Sequence, residues 1–287
     1  MNKFVVVMIA VGLGVGGCNK PSPVELQQDA GDAFLDVNSV SQSDSSLGLG
    51  TVDSSAVLPG DQSKFAGLVQ IARLTFDSGQ KVVDTAFAHV LFENRAEPIR
   101  VGSRIIGYHG IDLGRVTING ANMVPVWHRL GRRDSISGIE YYKNMTSLYG
   151  PGTEYRWTAT PDTTIGAFTT SIVTPEDLVV HSPRGGSVVR RDRNLPLSWT
   201  GSGNLAFVIS SYDPVTRKSK AIFRVTVRNN RQYAVLSSKV LQLLPSGHLY
   251  LFTFVLANRK ETDTVARFSG RILVQASSVY NSYVELI

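Results

Sequence analysis

The chain lacks the features that would indicate a disulfide framework or a membrane-spanning helix. Its 287 residues include a single cysteine, at position 18, so no disulfide can form within the chain. The longest apolar run, from Phe4 to Val15, covers about a dozen residues, whereas a membrane-spanning helix needs about 20. No long helical period follows it. We therefore expect stability to come from packing and hydrogen bonds.

Familiar catalytic motifs are also missing. The sequence contains no G-x-S-x-G, no H-E-x-x-H, no Walker loop and no EF-hand loop. None of the five histidines forms a close pair in sequence, so no metal-ligand spacing is present. These absences predict a protein that is not an enzyme and that uses neither a metal nor a cofactor.

The first eighteen residues have the layout of an export signal. A basic start at Lys3 precedes the apolar run, and small residues close it before Cys18. With Val15-Gly16-Gly17-Cys18 as the lipobox, this stretch resembles a bacterial lipoprotein signal peptide. The resemblance implies cleavage before Cys18, acyl chains such as palmitate on that residue, and a mature protein tethered to a membrane.

Two other interpretations of this stretch remain open, a plain secretory signal with a chance cysteine and a transmembrane anchor. Several acyl chains anchor a protein stably, whereas one chain does so only marginally. Asn19 follows the cysteine where inner-membrane lipoproteins often carry Asp. For a Gram-negative cell, the resemblance implies an outer-membrane address within the cell envelope.

Charge is distributed unevenly along the chain. Residues 19–63 hold one basic and seven acidic residues, a net charge of −6, whereas residues 64–287 carry a net charge of +11. The acidic part is rich in serine and glycine and offers too little apolar surface to offset the entropy of ordering. We therefore predict a disordered acidic linker over 18–66, after a signal peptide over 1–17.

From Leu68 onward, short apolar runs alternate with turn signals, which is typical of β-structure. Asn119-Gly120 lies between two such runs and is a strong hairpin signal. The sequence predicts an all-β fold with two consecutive β-sandwich-like domains after the disordered tether, over 67–173 and 174–287. Leu249–Leu256 is apolar on both faces and should be a central strand.

The second of these domains resembles immunoglobulin-like and fibronectin-III-like modules. The turn Ser182-Pro183-Arg184-Gly185-Gly186 and the alternating strand Leu195-Pro196-Leu197-Ser198-Trp199-Thr200-Gly201 carry the resemblance. It implies a tryptophan in the core of an immunoglobulin-like sandwich.

Two groups of residues are candidates for binding. Exposed aromatic side chains can stack on sugar rings or anchor a protein partner; the candidates are Trp127, Trp157, Tyr141 and Tyr142. A basic patch would attract anionic polymers; its candidates are Arg190, Arg191, Arg193, Arg224 and Arg228. Core packing and a solvated charged face are the structural alternatives.

Together these patterns predict a membrane-anchored envelope lipoprotein that acts as a non-enzymatic binding or scaffolding module. A carbohydrate-binding surface module and an envelope hydrolase on a β scaffold are the alternatives. The expected partners are the membrane, through lipid on Cys18, and another envelope protein or an anionic polysaccharide. Nucleic acid is not expected, since the chain is exported and shows no recognition motif.

Overall fold

The computed structural model describes residues 35–39, 65–129, 136–160, 166–203, 205–215, 218–227, 232–262, 268 and 270–287. The signal peptide, Cys18 and Arg228 lie outside the described residues. Within them the chain forms eighteen strands and one short helix, so the prediction of an all-β fold is confirmed.

The strands are, in chain order, β1 (Leu35–Ser39), β2 (Gly67–Asp77), β3 (Val82–Val101), β4 (Arg104–Gly110), β5 (Val116–Ile118), β6 (Ala121–Asn122), β7 (Val124–Arg129), β8 (Ile136–Asn144), β9 (Glu154–Ala159), β10 (Phe168–Val173), β11 (Val179–Ser182), β12 (Ser187–Val189), β13 (Leu195–Thr200), β14 (Leu205–Asp213), β15 (Lys218–Val227), β16 (Tyr233–Leu236), β17 (His248–Thr262) and β18 (Ile272–Leu286). Helix α1 (Ser238–Gln242) lies between β16 and β17.

One eleven-stranded sheet, the main sheet, spans the molecule. Its strands run in the order β1-β15-β14-β17-β18-β2-β3-β8-β7, with β12 beside β18 and β4 beside β3. Two smaller sheets, β10-β9-β5-β6 and β11-β13-β16, complete the structure of the described residues.

Each smaller sheet packs on the same face of the main sheet, which we call the covered face. Trp157 from β9 and Ile71 from β2 belong to one core, and Trp199 from β13 and Phe207 from β14 belong to the other. The result is two β-sandwich-like halves, as the sequence predicts. The exact domain bounds and the immunoglobulin-like character of the second half stay predictions.

Strand β18 joins the two halves. Its first residues, including Ile272 and Val274, face the core beneath β9, and its last, including Val284, face the core beneath β13. It pairs antiparallel with β17 along its whole length and parallel with β2 from Ile272 to Ser282. The main sheet is therefore continuous across both halves.

Strand β1 forms the edge of the main sheet beside β15. It lies inside the segment 18–66, for which the sequence predicts a linker, and pairs antiparallel with β15, with Leu35 opposite Val227 and Ser39 opposite Phe223. Leu35 and Val37 alternate with polar residues, the pattern of a strand with one apolar face. These five residues therefore belong to the sheet.

A buried carboxylate fastens the end of β2 to the second half of the molecule. Asp77 Oδ2 accepts hydrogen bonds from the Gly185 amide at 3.0 Å and from the Tyr280 hydroxyl, and Oδ1 accepts one from the Gly79 amide at 2.8 Å. A Cβ on Gly185 would lie 2.1 Å from the Asp77 carbonyl oxygen, so only glycine permits this approach.

These hydrogen bonds shift the pKa values of the Asp77 and Tyr280 side chains. Burial acts to raise the pKa of Asp77, but the bonds from Tyr280, Gly79 and Gly185 outweigh it and lower the pKa below the ordinary 3.8. Burial, together with the hydrogen bond to Asp77, raises the pKa of Tyr280, so the phenol stays protonated and donates. Because the folded-state pKa is depressed, Asp77 stabilises the fold above its unfolded pKa and loses that contribution as pH falls.

We expect Asp77→Asn to lower the free energy of unfolding by about 1–3 kcal/mol at pH 7, since it replaces a buried, hydrogen-bonded carboxylate with an uncharged amide. The difference in the free energy of unfolding between wild type and variant should shrink as pH falls below about 4. Urea unfolding of both proteins at pH 7, 5 and 3.5 measures this difference. Asp192→Asn, an exposed carboxylate, is the matched control and should change little. A gap that does not depend on pH would contradict this assignment.

Candidate functional site

Two of the four candidate aromatic residues are core residues. Trp157 is 0% exposed and Tyr141 is 1% exposed, so neither is available at a surface and the suggestion that they bind a ligand is wrong. In β9 the buried residues alternate with exposed ones, which places Trp157 against the main sheet. That period-two pattern is visible in the sequence, where Glu154, Arg156 and Thr158 separate Tyr155, Trp157 and Ala159.

Tyr141 has a structural hydrogen-bonding role as well. Its hydroxyl donates to Asp112 Oδ1 at 2.6 Å and accepts from the Leu113 amide at 2.8 Å. Burial and the neighbouring carboxylate raise the pKa of Tyr141 well above its ordinary value. The phenol therefore stays protonated and holds the loop after β4 against β8.

The other two aromatic residues, Trp127 and Tyr142, are exposed but lie on opposite faces of the main sheet. Trp127, 50% exposed, lies opposite Ile139, whose side chain belongs to the covered face. Tyr142, 40% exposed, lies opposite Val124 on one side and His89 on the other. The structure therefore does not bring the four predicted aromatic residues together.

The surface around Tyr142 is the candidate site. It lies on the face of the main sheet opposite to the covered face, where β3, β8 and β7 end the sheet. We call it the Tyr142 face, and it consists of Phe87, His89, Val124, Val126, Glu140, Tyr142 and Asn144. The Tyr142 ring stacks on Phe87, with centroids 5.9 Å apart and planes at 18°. Val124, 62% exposed, borders the ring on the side of β7.

A polar pair lies beside the aromatic ring. His89 Nε2 is 2.8 Å from Glu140 Oε2, a hydrogen bond in which the imidazole N–H donates to the carboxylate. The side chains are 15% and 20% exposed, respectively. The pair joins β3 to β8, diagonally across the register that places His89 opposite Tyr142.

Polar side chains continue from His89 toward the middle of the main sheet, on β2 and β18. Gln70 on β2 lies directly opposite His89, and Gln275 on β18 lies opposite Gln70. Gln70 is 1% exposed, and its Oε1 has no hydrogen-bond partner among the described residues. Buried acceptors are normally paired, and Gln70 Oε1 departs from that rule.

His89 and Glu140, which are 51 positions apart, are not among the residues that the sequence predicts for binding. The alternation along β3 places Phe87 and His89 on one face, but only the register of β3 with β8 brings Glu140 to His89. No signal in the sequence fixes that register.

The structure also separates the members of the predicted basic patch. Arg190 pairs with Asp192 at 2.6 Å, and its hydrogen bonds lower the pKa of that carboxyl. Arg191 donates to the carbonyls of Leu241 and Gln242, at 3.2 and 2.5 Å, and so caps the last turn of α1. Arg190 and Arg191 therefore have local roles.

The remaining basic candidates are not adjacent to these two. Arg193 is exposed in the loop after β12, whereas Arg224 is half-buried in β15 and holds an interaction within the protein. Strand β15 is three strands away from β18, beside which β12 lies, about 14 Å in strand spacing alone. The described candidates therefore do not form one patch.

The described part of the chain holds no helix with the length and apolar character of a membrane span. Among the same residues, no three His, Cys, Asp or Glu side chains group together as metal ligands.

Comparisons with known proteins assign no family. No family model and no curated protein matches the chain. A solved structure described as "Anomalous substructure of Titin-A168169" aligns with 78% of this chain and 97% of its own length, at 10% identity and a TM-score of 0.20. A likeness this weak carries no argument, so the fold assignment rests on the strands themselves.

The burial of the aromatic residues predicts different costs of truncation. Trp157→Ala should lower the free energy of unfolding by about 3–5 kcal/mol, because it leaves a large cavity. Trp127→Ala, which removes an exposed indole, should change it by about 1 kcal/mol or less. Thermal and urea unfolding of the two variants measures the difference. Equal costs would show that Trp127 is packed as firmly as Trp157.

Proposed function

We propose that this protein is a lipid-anchored envelope protein whose β-sandwich body acts as a non-enzymatic binding or scaffolding module. The observation that carries the binding role is the Tyr142 face, where an exposed aromatic ring and an exposed valine border a polar pair at the end of the main sheet. Exposed apolar groups next to a few fixed polar groups are what binding surfaces offer.

The anchor rests on the sequence. The lipobox Val15-Gly16-Gly17-Cys18 supports lipid attachment at Cys18. Tethering holds the body near its partner at a high effective concentration. A modest affinity is then sufficient for binding. A fold that presents a surface on a rigid sheet fits this role, since the site residues lie on strands.

The anchor is tested by the mass and location of the protein in a bacterial host. The wild type should be found in the membrane fraction, with an intact mass that matches cleavage before Cys18 plus acyl chains. Cys18→Ala should lose both the acyl mass and the membrane association. A wild-type protein without acyl chains would contradict the anchor.

The binding surface is tested separately by photo-crosslinking in cells. A photoreactive residue in place of Val124 should give a discrete adduct. The same residue in place of Val215, which is 89% exposed in the turn between β14 and β15, serves as the matched control and should give none. The same adducts at both positions, or none at Val124, would contradict a binding role for the Tyr142 face.

A further inference from the structure

The outer edge of β15 accepts an extended segment from a distant part of the chain. Strand β1 pairs there with β15 alone, over five residue pairs from Leu35 opposite Val227 to Ser39 opposite Phe223. The first five residues of β15, 218–222, have no partner strand on this side within the described ranges. Adding a strand to a sheet edge is a common way for proteins to bind an extended segment, and β1 fills half of this edge.

Strand β15 is held by packing on its own side of the contact. Phe223, Val225 and Val227 belong to the core beneath β13, and β14 pairs with β15 along its whole length. The edge therefore presents a fixed row of backbone donors and acceptors, which is a template for pairing with another strand.

The charges of the two segments indicate which occupant fits. Strand β15 contains three basic residues, Lys218, Lys220 and Arg224, and no acidic one. Strand β1 comes from the acidic part of the chain, residues 19–63, which has a net charge of −6. Opposite charges favour the approach of this N-terminal segment to β15. Each copy of the protein carries one such segment and one such edge.

The connection after β1 is long enough to reach a second molecule. Residues 40–64 join β1 to the start of the first half, and β2 lies five strand positions from β1 in the main sheet, about 24 Å. A connection of 25 residues spans at most about 85 Å when fully extended. Covalent geometry therefore does not restrict β1 to the β15 edge of its own molecule.

We propose that β1 exchanges between two copies of this protein, so that residues 35–39 of each copy pair with β15 of the other in a symmetric dimer. Such a dimer retains every strand pair of the single molecule, so concentration decides the balance between the two forms. Copies that share a membrane through the lipid proposed at Cys18 meet at a high effective concentration, which favours the dimer. The exchange is a second interaction surface, distinct from the Tyr142 face, and does not depend on the proposed binding function.

The test co-expresses two differently tagged full-length chains, one with Val37→Cys and one with Val225→Cys, both with Cys18→Ala to remove the natural thiol. These two positions lie opposite each other in the register, so a disulfide between differently tagged chains requires exchange. Neighbouring pairs of an antiparallel ladder alternate in spacing, so Asp36→Cys with Thr226→Cys is tested in parallel. This second pair also decides the matter if Val225→Cys does not fold.

The matched control pairs Val37→Cys with Val215→Cys, an exposed position in the turn between β14 and β15 that lies outside the strand pairing. The yield of linked chains should be about tenfold higher for at least one of the register pairs, because a disulfide needs two Cβ atoms within about 4.5 Å. In a single chain that carries both Val37→Cys and Val225→Cys, the share of linked dimer should rise with protein concentration in detergent, at the expense of the intrachain disulfide.

A deletion gives a measure that does not use cysteine. Removing residues 35–39 should abolish the dimer of the otherwise unchanged protein in size-exclusion chromatography with light scattering. Removing residues 50–54, an equal length of the same acidic segment outside β1, should retain it.

Four outcomes would overturn the proposal. Only the intrachain disulfide at millimolar concentration would mean that β1 stays on its own molecule. No disulfide at either register pair would mean that β1 does not occupy this edge. A dimer that persists without residues 35–39 would mean that the two copies associate elsewhere, and a different protein linked at position 225 would mean that the edge binds another partner. None of these results changes the test at position 124, which decides the proposed function.

Discussion

The parallel pairing of β18 with β2 is the constraint on which the rest of the structure depends. It joins the last strand of the chain to the first strand of the first half over eleven residue pairs, from Ile272 opposite Gly67 to Ser282 opposite Asp77. Without it, the main sheet would divide into two, and β17 and β18 would lose the first core as a support. The Asp77 carboxylate closes the far end of this pairing by accepting hydrogen bonds from Tyr280 on β18 and from Gly185 in the turn before β12.

The distribution of aromatic residues follows from this arrangement. The smaller sheets cover one face of the main sheet, so aromatic side chains that point to that face, such as Trp157, Trp199 and Phe254, become core residues. At the β7 end the cover stops, which leaves Trp127 exposed even though it points to the same face as Ile139. Tyr142 points the other way and remains at the surface. Residues of the same type therefore have different roles. The role depends on which face of the main sheet the side chain lies on and on how far the smaller sheets extend over that face.

Local patterns in the sequence predict much of the fold. Alternation in Leu195, Leu197 and Trp199 predicts the buried face of β13, and the two-sided apolar run Leu249–Leu256 predicts the central strand β17; both are confirmed. Asn119 and Gly120 have the positive φ angles of a tight hairpin turn between β5 and β6. The β18–β2 pairing, the docking of β1 and the approach of His89 to Glu140 join residues far apart in sequence. Their register is set by tertiary packing, which no local pattern encodes.

The position of β1 has a consequence for the orientation of the body relative to a membrane. The N-terminal part of the chain enters the sheet at β1, and the Tyr142 face lies toward the other end of the same sheet. Tyr142 on β8 is seven strand spacings from β1, about 34 Å along the sheet. With lipid on Cys18, the sheet itself acts as a rigid spacer, and its width adds to the reach of the sixteen residues between Cys18 and Leu35. If lipid is attached at Cys18 as proposed, the chain connects to the bilayer through the β1 edge of the sheet, and the Tyr142 face lies toward the opposite edge.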